Sequence, residues 1–162
     1  MTALWDTSVV SRLQPEGPVL EYVLSQAVAD DPVAVASVAL LEVAYGYQGQ
    51  IRDPRFRALL DWLTHLLESN AFRAVSLDGR ASLVAGRVRA ELPHPPRARR
   101  GDRRSKTMRQ AAWLLDIEIA ATAYMAGLDL ATENRGDFES IAQAIEMLFP
   151  RAEPLVVVGP LV

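Results

Sequence analysis

Short apolar runs alternate along this chain with longer stretches whose apolar residues recur at helical spacing. Ala3-Leu4-Trp5 is the first run; it stops at Asp6 and reads as a buried strand. Asp6-Thr7-Ser8 then favours a turn or a helix cap. A helical pattern starts near Val9, breaks over residues 14–18 and resumes over 19–29. Asp30-Asp31-Pro32 makes a turn, and the β-branched stretch 33–37 reads as a second strand. Residues 40–46 read as a helix that stops near Gly46 and Gly49. Asp53-Pro54 opens another helix, with Pro at its first position and an apolar stripe through Leu59, Leu63 and Leu66. Residues 72–77 form a third strand, and Asp78 caps a helix reaching about Ala90. From Leu92 no hydrophobic period returns until about Met108, a length that marks a functional or mobile loop. A strongly apolar helix follows over 110–126, with Gly127 as its C-cap. Residues 128–132 read as a fourth strand, 138–149 as mostly helix and 155–158 as a last strand.

Strands alternating with helices predict an α/β fold, a central and mostly parallel sheet of four to five strands with helices on both faces. A length of 162 residues sets the expectation of one domain spanning 1–162. Ligand sites in such sheets lie outside the carboxyl ends of the strands, so polar residues just after each strand carry the chemical interest.

Composition narrows that chemistry. The chain has no cysteine, which removes thiolate metal sites, iron–sulfur clusters and thiol nucleophiles. His65 and His94 are the only histidines, so a multi-histidine metal site is excluded as well. A metal in this protein is held by oxygen, which points to Mg²⁺ or Mn²⁺. The net charge of −3 is unevenly distributed. Arg97, Arg99, Arg100, Arg103, Arg104, Lys106 and Arg109 face one acid, Asp102, in a segment of +6; the other 10 basic and 19 acidic residues sum to −9. An acidic body with one basic strip can bind nucleic acid locally, although a solvated charged loop has the same composition. Residues 1–13 lack the basic start and apolar run of a signal peptide, and no apolar run approaches the ~20 residues of a membrane span. A cytoplasmic protein without membrane contact is therefore expected.

Four carboxylates stand out by position. Asp6 ends the first strand, where it is either a site residue or a helix cap. Glu42 has Val38, Ala39, Tyr45 and Gly46 as helical neighbours, none of them charged, and faces the core side. Asp116 is flanked by Ala112, Trp113, Ile119 and Ala120; a carboxylate there needs a partner or stays protonated, and a buried ion pair with an arginine is the plainer reading. Glu118 points elsewhere on the same helix and is secondary. Asp137 follows the fourth strand and serves equally well as the N-cap of the next helix. Clustered, the four acids repel one another, and a divalent cation with oxygen ligands resolves that conflict. A site of this kind fits metal-dependent phosphodiester chemistry.

The segments around these acids resemble the PIN-domain nucleases. Leu4-Trp5-Asp6-Thr7-Ser8-Val9-Val10 is similar to the family's opening strand, and Ser37-Val38-Ala39-Leu40-Leu41-Glu42-Val43 to its second acidic element. Asp116-Ile117-Glu118-Ile119-Ala120-Ala121-Thr122-Ala123 resembles the third. Leu130-Ala131-Thr132-Glu133-Asn134-Arg135-Gly136-Asp137-Phe138 resembles the fourth, a strand followed by Thr-x-Asn and then Asp-Phe. The four occur in the family's order across essentially the whole chain. Its small size is similar to that of the VapC-type toxins of bacterial toxin–antitoxin modules. The Pro/Arg stretch 92–109 departs from the shorter linker usual before the third acid.

The resemblance implies a PIN-like three-layer α/β/α fold and a Mg²⁺- or Mn²⁺-dependent endoribonuclease. In that reading Asp6, Glu42, Asp116 and Asp137 hold one or two metal ions. Ser8, Thr132 and Asn134 are supporting polar groups that orient ligands or water. The implied partners are a small antitoxin protein, an RNA substrate and a second copy of the chain in a homodimer. From the basic strip itself, Arg97, Arg99, Arg100, Arg103 and Arg104 are expected to contact the RNA backbone, with an antitoxin contact or a solvated loop as the rival readings. The alternative is a non-catalytic PIN scaffold that binds RNA or protein. An aspartate-nucleophile phosphohydrolase fits less well, because Ser8 stands where a second Asp is wanted. A receiver-like domain wants a lysine after a late strand, but the sole lysine is Lys106 in the basic segment.

Overall fold

The central strands are buried along their whole length. They are β1, Ala3–Trp5, and β2, Val33–Ala36, and runs this apolar suit a parallel sheet covered on both faces. With β3 (Phe72–Val75), β4 (Asp129–Ala131) and β5 (Val157–Val158) they form one sheet in the order β3-β2-β1-β4-β5, every neighbouring pair parallel. The structure is a computed structural model and describes residues 3–95, 101–150 and 153–160. Helices flank the sheet: α1 (Thr7–Val10), α2 (Pro18–Val28), α3 (Ser37–Gln48), α4 (Pro54–Glu68), α5 (Gly79–Glu91), α6 (Lys106–Ala126) and α7 (Arg135–Leu148). Helices α5, α6 and α7 pack on one another, while α3 packs on α1, α4 and α6. The expected α/β class and parallel sheet are thus what the chain adopts, with five strands. Among the described residues no helix is long and apolar enough to cross a membrane.

Local chemistry explains where elements start and stop. Asp53, Asp78 and Ser105 each accept a backbone N–H from the first turn of α4, α5 and α6. Gly127 ends α6 at φ 66°, a left-handed conformation that glycine adopts without steric cost. Several boundaries differ from the sequence reading: β3 ends at Val75, β5 starts only at Val157, and α3 runs on to Gln48. Ser37 already begins α3, so the second strand stops at Ala36 and the helix starts before residue 40. Helix α6 begins at Lys106, not 110, because Ser105 caps a first turn too polar to show a hydrophobic period. Helix α7 begins at Arg135 with Asn134 as its cap residue, so Asp137 lies in the first turn and not at the cap.

Strand order fixes where a cleft must open. The chain leaves β1 toward β2 on one side, and leaves β4 toward β5 on the other. Helical connections that depart in opposite directions leave a crevice at the carboxyl ends of the two adjacent strands. The register pairs Trp5 with Ala131, so the next residues, Asp6 and Thr132, face each other at that crevice. Beneath it lies a core in which Leu4, Ile117, Ile119, Leu130, Phe138 and Ile141 are fully enclosed. Trp5 stacks on Tyr22, with ring centroids 5.9 Å apart, and meets the edge of Phe72.

Because Leu4 sits in the middle strand with no exposed surface, Leu4→Ala is expected to lower unfolding free energy by about 2–5 kcal/mol in urea denaturation. A loss under 1 kcal/mol would contradict the central place given to β1.

Candidate active site

Asp6 is held from four directions. Its backbone N–H donates to the Ala131 carbonyl at 3.2 Å, extending the β1–β4 ladder by one residue. Its Oδ1 accepts the Val9 N–H at 3.0 Å, so Asp6 does cap α1, and also accepts the Ser8 hydroxyl at 2.7 Å. Its Oδ2 accepts the Thr132 hydroxyl at 2.6 Å. Thr132 Oγ1 in turn accepts the Asn134 N–H at 2.8 Å, and Asn134 Nδ2 donates to Asp137 Oδ2 at 2.7 Å. The Glu133 N–H donates to Ser8 Oγ at 2.9 Å. A continuous network of short polar side chains therefore ties the end of β1 to the start of α7.

The other two acids arrive on long helices. Glu42, on α3, accepts a hydrogen bond from the Thr7 hydroxyl. Asp116 projects from the middle of α6, and no hydrogen bond joins its carboxylate to another described residue. Asp6, Glu42, Asp116 and Asp137 line one cavity of about 320 Å³, together with Thr7, Ser8 and Asn134. Glu118 is not among its lining residues.

Asp102, Arg104 and Arg109 also line the cavity, with the Arg104 side chain half-exposed to solvent at its mouth. Arg103 is exposed and does not line the cavity. Arg97, Arg99 and Arg100 lie outside the described residues. The sequence reading missed six lining residues, the apolar Pro95 and Ala112 among them. Thr7 was adjacent to Asp6 but read only as part of a turn. Asp102 was the lone acid in a strip of +6, which is itself a signal. Arg109 and Trp113 sit seven and three residues before Asp116, on the same helical face.

A family model described as the PIN domain matches residues 3–144. The chain belongs to the PIN-domain family. No curated protein matches its sequence. Among solved structures, this PIN domain is similar to VapBC2 from Rickettsia felis bound to a DNA fragment from their promoter, with 17% identity, 98% of each chain covered and a TM-score of 0.59. DNA-bound VapBC from Salmonella typhimurium gives 20% identity, 98% coverage of both chains and a TM-score of 0.58. FitAcB from Neisseria gonorrhoeae gives 22%, 96% of each chain and 0.58. At these identities the likeness establishes the shared fold.

Burial and crowding set the electrostatics of the PIN cavity. Asp116 is pushed up to about 8, chiefly by desolvation and then by the charges of Glu42, Asp137 and Asp6, with Arg104 opposing. Asp6 is raised by burial against the pull of its Thr132, Ser8 and Val9 hydrogen bonds. Glu42 is raised by burial, partly offset by Thr7, with the Asp6 charge adding to the rise. Among the described residues no group of three or more acids or histidines is already set for a metal ion. Three of the four acids hold polar donors of the protein instead. The donor set nonetheless fits a hard divalent cation: every group is oxygen, and burial and the neighbouring carboxylates raise Asp116, a cost that a bound cation would offset.

That proton has a sign-definite consequence. Unfolded, Asp116 ionises near 3.8; folded, it ionises near 8. Between those values the folded chain holds a proton that the unfolded chain has released, so stability falls as pH rises. In EDTA, the melting temperature of the parent is expected to drop from pH 5 to pH 8 more steeply than that of Asp116→Asn. At pH 8 the variant is expected to be the more stable by several degrees, given roughly 2–4 °C per kcal/mol for a chain of this size. Parallel curves would show that Asp116 titrates normally.

Proposed function

We propose that this PIN domain is a metal-dependent endoribonuclease and the toxin of a toxin–antitoxin pair. The observation that carries the reading is one cavity lined by four carboxylates, one of them kept protonated to about pH 8 by its surroundings. Active sites are where burial and like charges drive such shifts. The fold shared with the VapBC and FitAcB structures supports the toxin assignment. In this reading a single PIN domain acts in the cytoplasm, forms a homodimer and is neutralised by a small antitoxin protein.

Asp6, Glu42, Asp116 and Asp137 would hold Mg²⁺ or Mn²⁺. Such an ion supplies water activation and neutralises charge developing on the phosphodiester. The remaining work falls to the chain's own side chains. Ser8 and Thr132 fix both oxygens of Asp6, so its carboxylate presents one orientation. Asn134 holds one oxygen of Asp137, and Thr7 one oxygen of Glu42. Among the described residues Asp116 has no such partner, and it is the carboxylate most dependent on a cation for its charge.

Cleavage of a single-stranded RNA is therefore expected in Mg²⁺ or Mn²⁺ and not in excess EDTA. Asp6→Asn and Asp116→Asn should each lower kcat/KM by at least ~100-fold, above the 10–100-fold typical of losing an outer partner of a metal ligand. Circular dichroism should show both variants folded. Undiminished cleavage in EDTA would overturn the metal dependence. A folded parent that binds RNA but never cuts it would favour the non-catalytic scaffold.

A further inference from the structure

The basic segment before α6 reaches the acid-lined cavity through Arg104. Asp102 holds this side chain in a fixed fork. The Arg104 N–H donates to Asp102 Oδ1 at 3.0 Å, Nε donates to the same oxygen at 3.1 Å, and Nη2 donates to Oδ2 at 3.0 Å. Arg109 Nη1 donates to the Arg104 carbonyl at 3.2 Å, which fastens its backbone to the first turn of α6. The same helix grips the far end of the segment: Trp113 Nε1 donates to the Leu92 carbonyl at 2.9 Å. Arg104 is thereby positioned from the helix that carries Asp116.

Its chemistry matches what the cavity lacks. Asp102 is only 11% exposed, whereas the Arg104 side chain is 53% exposed. An ion pair whose guanidinium is half-exposed contributes little stability, so its value lies in orientation. The carboxylate occupies Nε and one Nη2 hydrogen, leaving Nη1 and the second Nη2 hydrogen for a ligand. The guanidinium also feels the charges of Asp116 and Asp137, after that of its Asp102 partner. An anionic RNA backbone approaching four carboxylates meets this cation at the entrance.

We propose that Arg104, oriented by Asp102, binds a non-bridging oxygen of an RNA backbone phosphate at the mouth of the acidic cavity. The proposal rests on the ribonuclease reading and names how substrate is held there. A guanidinium matches a phosphate's paired oxygens better than an ammonium does. Arg104 is a substrate-binding residue, and Asp102 is a positioning residue acting through it.

The test compares the parent with Arg104→Gln, Arg104→Lys, Asp102→Asn and Arg103→Gln, the last removing the same charge outside the cavity. RNA binding is read by fluorescence anisotropy in EDTA over a salt series, and kcat and KM are read in Mn²⁺. Arg104→Gln should flatten the log–log salt slope by about 0.7, one phosphate contact on a single strand. It should lower kcat/KM roughly 10- to 100-fold, as expected for a charged hydrogen bond, and by more than Arg103→Gln does. Arg104→Lys should keep the salt slope but lose most of kcat/KM. Asp102→Asn separates positioning from bulk electrostatics, because it removes a negative charge: RNA affinity should match or exceed the parent while kcat/KM falls. Asp102→Asn that raises both, or Arg104→Gln that behaves like Arg103→Gln, overturns the proposal. A parent that binds RNA without cutting it overturns only the ribonuclease reading; an unchanged salt slope in Arg104→Gln then still overturns the phosphate contact.

Discussion

Repulsion among carboxylates held in one partly desolvated cavity is the constraint around which this molecule is arranged. Asp6, Glu42, Asp116 and Asp137 share a space of about 320 Å³. Like charges at short range in a low-dielectric setting cost free energy unless they are neutralised, hydrogen-bonded or protonated. The chain uses all three remedies. Asp6, Glu42 and Asp137 receive side-chain hydrogen bonds. Arg104 contributes positive charge at the rim. Asp116 keeps its proton to about 8. A fold that tolerates this cost has a use for the charge, which is why the cavity carries the functional reading.

The fold produces the crowding by simple means. Opposite departures from β1 and β4 leave a crevice, and their register sets Asp6 beside Thr132. Helix α3 begins at Ser37, directly after β2, so Glu42 lies little more than a turn along it. Helix α6 is packed against α5 and α7 and brings Asp116 in beside Ala112 and Trp113. The hydroxyls of Ser8 and Thr132 then link two elements 124 residues apart in sequence through one carboxylate. Each acid thus sits on a rigid element, and none depends on the basic segment for its place.

What was legible in the sequence followed hydrophobic context. Asp116 stood out because Ala112, Trp113, Ile119 and Ala120 surround it, and Asp6 because it ended an apolar run. Alternating strands and helices made the parallel sheet readable, since strands buried on both faces leave unbroken apolar runs. Polar geometry was less legible. Asn134 turns its side chain to Asp137 and not to the α7 backbone, a choice that spacing does not reveal. The polar first turn of α6 hid its start at Lys106. The fork between Asp102 and Arg104 was invisible for a different reason: a charge strip reads as a sum, and the sum conceals which single side chain is held.

Calorimetric titration of Mn²⁺ at pH 7, repeated in two buffers of different ionisation enthalpy, tests the central claim most directly. Asp116 is protonated at that pH and must ionise to serve a cation. The account predicts saturable binding that releases about one proton per protein, with the proton release lost in Asp116→Asn. No Mn²⁺ binding at millimolar concentration, or binding with no proton released by the parent, would contradict it.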